Sequence, residues 1–121
     1  MGLNRMLFKN GKKDDFIAYL DRTIETFNID SIGSNAFRNC SSLTSIDLPN
    51  VTSIGSNAFD SCSSLTSIHL PKVTSIGRNA FAHCSSLTSI HFAAKNKETI
   101  EKLSGFSSKF GATKATIYFD L

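Results

Sequence analysis

The segment IGSNAFRNCSSLTSIDLP, beginning at Ile32, returns almost unchanged 22 residues later at Ile54 and again at Ile76. Divided as residues 29–50, 51–72 and 73–94, adjacent copies share 16 of 22 residues. A unit this short cannot bury its apolar face by itself. Its neighbours must cover it on both sides, so a period in this range predicts stacked copies rather than three separate folds.

Each copy predicts one turn of a coil. In VTSIGSNAFDSCSSLTSIHLPK, residues Leu65, Ile68 and Leu70 have the spacing of a strand with one buried face, with Ile68 and Leu70 pointing inward. Val51 and Ile54 make a second inward pair upstream, and Ala58, Phe59 and Cys62 fall at the spacing of a short helical turn ending at a Ser-Ser pair. Gly33, Gly55 and Gly77 mark places where a left-handed or crowded backbone is easiest without a Cβ. Pro49 and Pro71 end the strand by removing a donor. Parallel pairing sets the coils about 4.8 Å apart, so equivalent residues form columns.

The flanks differ from the repeats. In residues 95–121, Ile100, Leu103, Phe106 and Phe110 predict an amphipathic helix ending near Gly111, followed by the strand-like ATIYFD. Aligning Ile117 and Phe119 with Ile90 and Phe92 adds one more parallel strand. In residues 1–28, Asp14 or Asp15 caps a short helix containing Phe16, Ile17 and Leu20, and Thr23, Ile24 and Glu25 match Ser45, Ile46 and Asp47 as a degenerate first strand. A continuous helix from Asp15 to Phe27 is the competing reading, because Phe16, Leu20, Ile24 and Phe27 also keep helical spacing. The expected organisation is a single domain over residues 1–121, three repeats between non-repeat caps.

The net charge of +3 comes mainly from lysines in the flanks, and only Arg38, Lys72 and Arg78 interrupt the repeats, at non-equivalent positions. A nucleic-acid binder needs basic residues recurring on one face, so nucleic acid is not an expected partner. No stretch reaches the roughly 18 apolar residues of a membrane helix, and Met6, Leu7 and Phe8 are too few for the apolar part of a signal peptide. A complete chain would then be cytoplasmic, whereas a module cut from a larger protein would belong to a cell surface or a phage particle.

On the outer face of the strands, Thr23, Ser45, Ser67, Ser89 and Thr116 line up in one column and Glu25, Asp47, His69, His91 and Tyr118 in the next. The second column varies where the inward positions stay constant, as recognition on a fixed scaffold requires. The candidate protein-binding residues are therefore Glu25, Ser45, Asp47, Ser67, His69, Ser89, His91 and Tyr118. Asp47, His69 and His91 also have the donor types of a two-histidine, one-carboxylate metal site. Ligands along a straight column do not surround an ion, so no metal or other cofactor is assigned and metal binding stays an alternative.

Cys40, Cys62 and Cys84 form a third column. Their separation follows from the repeat and lacks the close pairs zinc sites favour, so they read as buried thiols filling core space. Asn35, Asn57 and Asn79 read as caps of the turn bearing Asn-Ala-Phe. No nucleophile elbow, phosphate loop or zinc-protease motif is present, and the adjacent His83 and Cys84 do not present a base to a nucleophile. An enzyme is not expected.

The words CSSLTSI, LP, VTSIG and NAF, in this order and spacing across residues 22–94, resemble the BspA-like class of leucine-rich repeats, found in bacterial and protozoan surface proteins and in gut phage proteins. The LDRTIETF and ATIYFDL ends look like those attached to such repeats in phage-associated proteins. The resemblance implies an α/β fold: a right-handed leucine-rich-repeat solenoid with a short parallel sheet of about five strands, helical turns on the other side and caps at both ends. It also implies noncatalytic binding of a protein partner through the strand-bearing face, often in adhesion or host-surface recognition. The alternative is a small cytoplasmic, phage-encoded inhibitor of a host protein. Five strands span only about 20 Å, so binding would be weak, multivalent or dependent on homo-oligomerisation.

Overall fold

Equivalent residues of successive copies lie side by side, as the repeat demands, but they do so along two separate ladders. The computed structural model describes residues 6–7 and 29–121. Its elements are, in order, β1 (Met6–Leu7), β2 (Ser31–Ile32), β3 (Ser53–Ile54), β4 (Ser67–Leu70), β5 (Ser75–Ile76), β6 (Ser89–Ala93), the helix α1 (Lys97–Glu101) and β7 (Thr116–Asp120). Among the described residues, β1, β2, β3 and β5 form one parallel sheet and β4, β6 and β7 form another.

This arrangement corrects the expectation of one sheet of about five strands. The Ser-Ile pairs before each repeat glycine, of which the sequence reading took only the isoleucine as inward, together with Val51, make a ladder of their own: Ile32 pairs with Ile54, and Ile54 with Ile76. On the second sheet Ile68 pairs with Ile90 and Ile90 with Ile117, while the 29–50 copy contributes only the bridge from Asp47 to His69. The expected strand at Thr23–Glu25, its helical alternative and the cap at Asp14 or Asp15 lie outside the described residues.

The stretch between the sheets is a run of tight turns, not a helical turn. Asn35, Asn39, Asn57, Ser61 and His83 all have φ near +60°, which stops a right-handed helix at once. The amides then alternate in purpose. Those of Ala36, Arg38 and Cys40 close local turns onto Gly33, Asn35 and Phe37, while those of Asn35, Phe37 and Asn39 reach across to the carbonyls of Ser56, Ala58 and Asp60 in the next copy. Every second donor therefore ties one coil to its neighbour, as a strand would, although the backbone is not extended.

The repeat glycines serve the crowding rather than a left-handed φ. A Cβ on Gly77 would lie 2.4 Å from the Ser56 Cα, and one on Gly55 would lie 2.5 Å from the Ser34 nitrogen. Both clashes are with backbone, so no side chain can yield. Within this frame the apolar columns are buried: Phe37, Phe59 and Phe81 stack with ring centres 5.1 and 5.5 Å apart, flanked by Ile32, Ile54 and Ile76 and by Leu43, Leu65 and Leu87.

The three cysteines form no disulfide, and all are buried. The thiols of Cys62 and Cys84 donate to the carbonyls of Phe37 and Phe59, one copy back, at 3.1 and 3.0 Å. Burial pushes the Cys84 thiol up to about 11, and hydrogen bonding with Cys40 together with burial drives Cys62 higher still. Packing thiols, not reactive ones, is the result.

After the third copy, the expected continuous helix is broken. α1 spans five residues, and the segment Phe106–Gly111 is a 3-10 stretch in which Lys109 and Phe110 take φ of 55° and Gly111 takes 94°. The cause is tertiary: the Phe110 carbonyl accepts the Phe81 amide at 2.9 Å, continuing the series in which Ala58 accepts from Phe37 and Ala80 from Phe59. Phe110 is fully buried and meets Phe92 edge-on. The segment thus takes over the hydrogen bonding of one more copy, and β7 follows in the register expected for Ile117 and Phe119.

One polar cluster crosses three copies at this turn-rich side. Asp60 is only 4% exposed, yet its carboxylate accepts from Asn57 Nδ2 and Ser61 Oγ at 2.9 Å and from His83 Nδ1 at 3.0 Å, with Arg38 Nε at 3.7 Å. Burial alone would raise its carboxyl, but the hydrogen bonds from His83, Ser61 and Asn57 outweigh it and hold the carboxyl below its ordinary 3.8.

These contacts set the expected effects of three substitutions. Gly77→Ala forces one coil off the next and is expected to cost at least about 2 kcal/mol in urea unfolding, an unchanged midpoint refuting the crowding. Asp60→Ala is expected to cost about 1–3 kcal/mol at neutral pH by removing the acceptor that Asn57, Ser61 and His83 share. Because the folded carboxyl titrates below 3.8, its contribution is complete above that pH and is lost as pH falls through the lower folded value. Asp60→Asn should therefore flatten the acid limb of the stability curve, measured by thermal melts between about pH 2 and 5.

Candidate functional site

The outer face of the second sheet carries a row of rings. On a parallel strand every second side chain faces the same way, so pairing His69 with His91 and His91 with Tyr118 brings their rings into contact. His69 and His91 stack with centres 4.3 Å apart and planes 9° from parallel; His91 and Tyr118 stack at 4.7 Å and 12°. Asp47 extends the row through its bridge to His69. Ser67, Ser89 and Thr116 form the adjoining hydroxyl row in register, and Ser45 is exposed at the 29–50 copy, outside a regular strand. Glu25 lies outside the described residues.

The carboxylate that converges on the histidines is Asp120, not Asp47. Asp120 pairs with Ala93, two residues beyond the His91–Tyr118 pair, and so falls on the same outer face diagonally across from His91. Its oxygens lie 3.0 and 3.2 Å from His91 Nδ1. A carboxylate only accepts, so this nitrogen carries the hydrogen and His91 is held as the Nδ1 tautomer or as the cation. The ligand atoms of His69, His91 and Asp120 all lie within 4.8 Å of one another, whereas Asp47 sits at the far end of the row. Sequence reading passed over Asp120, although alternation along ATIYFD, two residues past Tyr118, is the signal that would have placed it on this face.

Beside the row, a cavity of about 560 Å³ is bordered by His69, His91, Phe92, Lys95 and Asp120. Tyr118 is 45% exposed at the far side of His91, and Lys97 lies 5.8 Å over the Phe119 ring. The face therefore offers flat rings, with the carboxylate of Asp120 and the ammonium of Lys95 beside a shallow recess.

A second recess, of about 600 Å³, lies on the turn-rich side and includes Asn57, Asp60, His83 and Lys114. Sequence reading set His83 and Cys84 aside as catalytic and missed Asp60, which occupies the position of Arg38 and Ala82 in the other copies and so carries no column signal. Asp60 spends its hydrogen bonds on Asn57, Ser61 and His83 and the Cys84 thiol turns inward to Phe59, so His83 and Cys84 do not meet as base and nucleophile. Among the described residues, no helix is long and apolar enough to cross a membrane.

Known proteins give a consistent picture. The family described as BspA type leucine rich repeat region matches residues 19–117 in six copies, extending past the three near-identical copies into both flanks. No curated protein matches the chain significantly. Among solved structures, a leucine-rich repeat protein from Bacteroides ovatus superposes with a TM-score of 0.53 at 21% identity, a likeness of fold, over 78% of this chain and 23% of that one. The chain thus spans about a quarter of the length of that protein. The repeated words, their stacking in register and a family match over most of the length agree: the chain belongs to the BspA-type leucine-rich repeat family.

Proposed function

We propose that this chain is a noncatalytic protein-interaction module, a single right-handed solenoid with end segments closing its core, that grips a partner through the outer face of the β4–β6–β7 sheet. The observation that carries this reading is the stacked row of His69, His91 and Tyr118, which places three flat, amphipathic rings on a rigid ladder. Rings held in this way contact a partner with little loss of side-chain freedom, which is why aromatic residues concentrate at interfaces. Asp47 ends the row with a charge, and Ser45, Ser67 and Ser89 supply hydrogen-bonding groups beside it. Glu25 would lengthen the row by one position.

Four rungs at about 4.8 Å make a strip only about 14 Å long, well short of a standard interface of roughly 800 Å² per partner. Binding is accordingly weak by itself and strengthened by repetition, through further repeats, several copies on one particle, or self-association. That pattern suits host-surface recognition and adhesion by a bacterium or phage, where many weak contacts act together. Inhibition of a host protein inside a cell is the second reading, favoured by three cysteines kept as buried thiols without a disulfide.

Replacing Asp47, His69 and His91 together by Ala is expected to abolish capture of the partner while leaving the melting temperature nearly unchanged, since Asp47 and His69 are exposed. Surface immobilisation against a panel of matrix proteins, with bacterial lysate in parallel, would measure it and separate the two settings. Capture that survives the triple change would place binding on another surface.

A further inference from the structure

The histidine row has a property that protein binding does not require. His69, His91 and Asp120 come from three adjacent strands, and their ligand atoms are gathered within 4.8 Å. Three ligands about 2.1 Å from one ion are themselves about 3.0–3.4 Å apart. His91 Nδ1 and the nearer Asp120 oxygen, 3.0 Å apart, already meet that spacing. His69 must close by up to about 1.4 Å to reach the same spacing, and it is exposed, so rotation about its side-chain bonds achieves this.

We propose that His69, His91 and Asp120 form a site for a divalent transition-metal ion of the zinc or nickel class. Two imidazoles and one carboxylate are the donor set such ions prefer, whereas magnesium and calcium seek oxygen ligands. The stacked arrangement itself does not bind. Lone pairs of parallel rings run side by side in their planes, so the ion enters at the rim next to Asp120 and His69 tilts out of the stack to meet it. Entry displaces the hydrogen that His91 Nδ1 donates to Asp120, which on the neutral ring moves to Nε2, and exchanges one hydrogen bond for two coordinate bonds. With three protein ligands, the remaining coordination positions open toward the cavity of about 560 Å³ that these residues border. An ion there could take a further donor from a molecule in the recess. The site does not rest on the protein-binding proposal, since it requires only side chains of this chain.

The test is titration of the untagged full chain with zinc chloride, and separately with magnesium chloride, followed by calorimetry and by NMR of the histidine rings. The expected result is one zinc ion per chain, no magnesium uptake, and ring signals of His69 and His91 that shift while those of His83 stay still. His91→Ala and Asp120→Asn should each weaken zinc binding at least about tenfold, and Asp47→Asn should leave it unchanged. Zinc binding of undiminished affinity in the His69→Ala, His91→Ala double variant would overturn the proposal. So would shifts centred on His83 or the cysteines, or absence of uptake up to about 1 mM zinc at neutral pH.

Discussion

The backbone ladder between copies is the constraint from which the rest of this fold descends. Backbone groups of one coil meet those of the next, in strands that pair Ile32, Ile54 and Ile76 at 22-residue intervals and in turns where the Phe37 amide reaches the Ala58 carbonyl. Parallel pairing admits little variation in spacing, so every side chain is delivered to within about 5 Å of its counterpart in the neighbouring copy. Phenylalanine then stacks on phenylalanine and histidine on histidine, whatever the individual side chain prefers. The same ladder dictates where no side chain is tolerated at all, as at Gly55 and Gly77.

How much of this was legible in the sequence depended on whether a residue belonged to a column. The inward positions did, and so did Ile117 and Phe119, because their alternation matched Ile90 and Phe92 across an otherwise unrelated linker. The β1–β2–β3–β5 sheet was harder to see, since a two-residue strand such as Ser53–Ile54 leaves no periodicity to detect. The C-terminal segment misled for a different reason. Ile100, Leu103, Phe106 and Phe110 keep helical spacing, but the unpaired edge of the third copy attracts the Phe110 carbonyl more strongly than a helix can hold it. Asp60 and Asp120, the two carboxylates that matter most for the polar clusters, each occur only once in their column, and a search for repetition passes over them.

The two faces of the molecule use histidine in opposite ways. His83 donates to a nearly buried carboxylate whose other partners are fixed, and the pair stabilises the turns. His69 and His91 stand on the outside, stacked on each other, with Tyr118 stacked on His91 and Asp120 as its polar partner. Rings at the surface and a satisfied cluster at the back separate the proposed binding face from the groups that hold the turns, so changes in the outer row are expected to leave the coil intact.

The cluster at Asp60 carries a further implication. An array of near-identical units risks pairing out of step, one unit taking the seat of another or of the same unit in a second molecule, because each seat offers almost the same apolar lining. Arg38, Asp60 and His83 occupy three successive units and cannot be exchanged, since any shift sets the recessed acid beside the wrong neighbour. One unrepeated charge thereby numbers the repeats, and gives an otherwise periodic chain a single way to assemble.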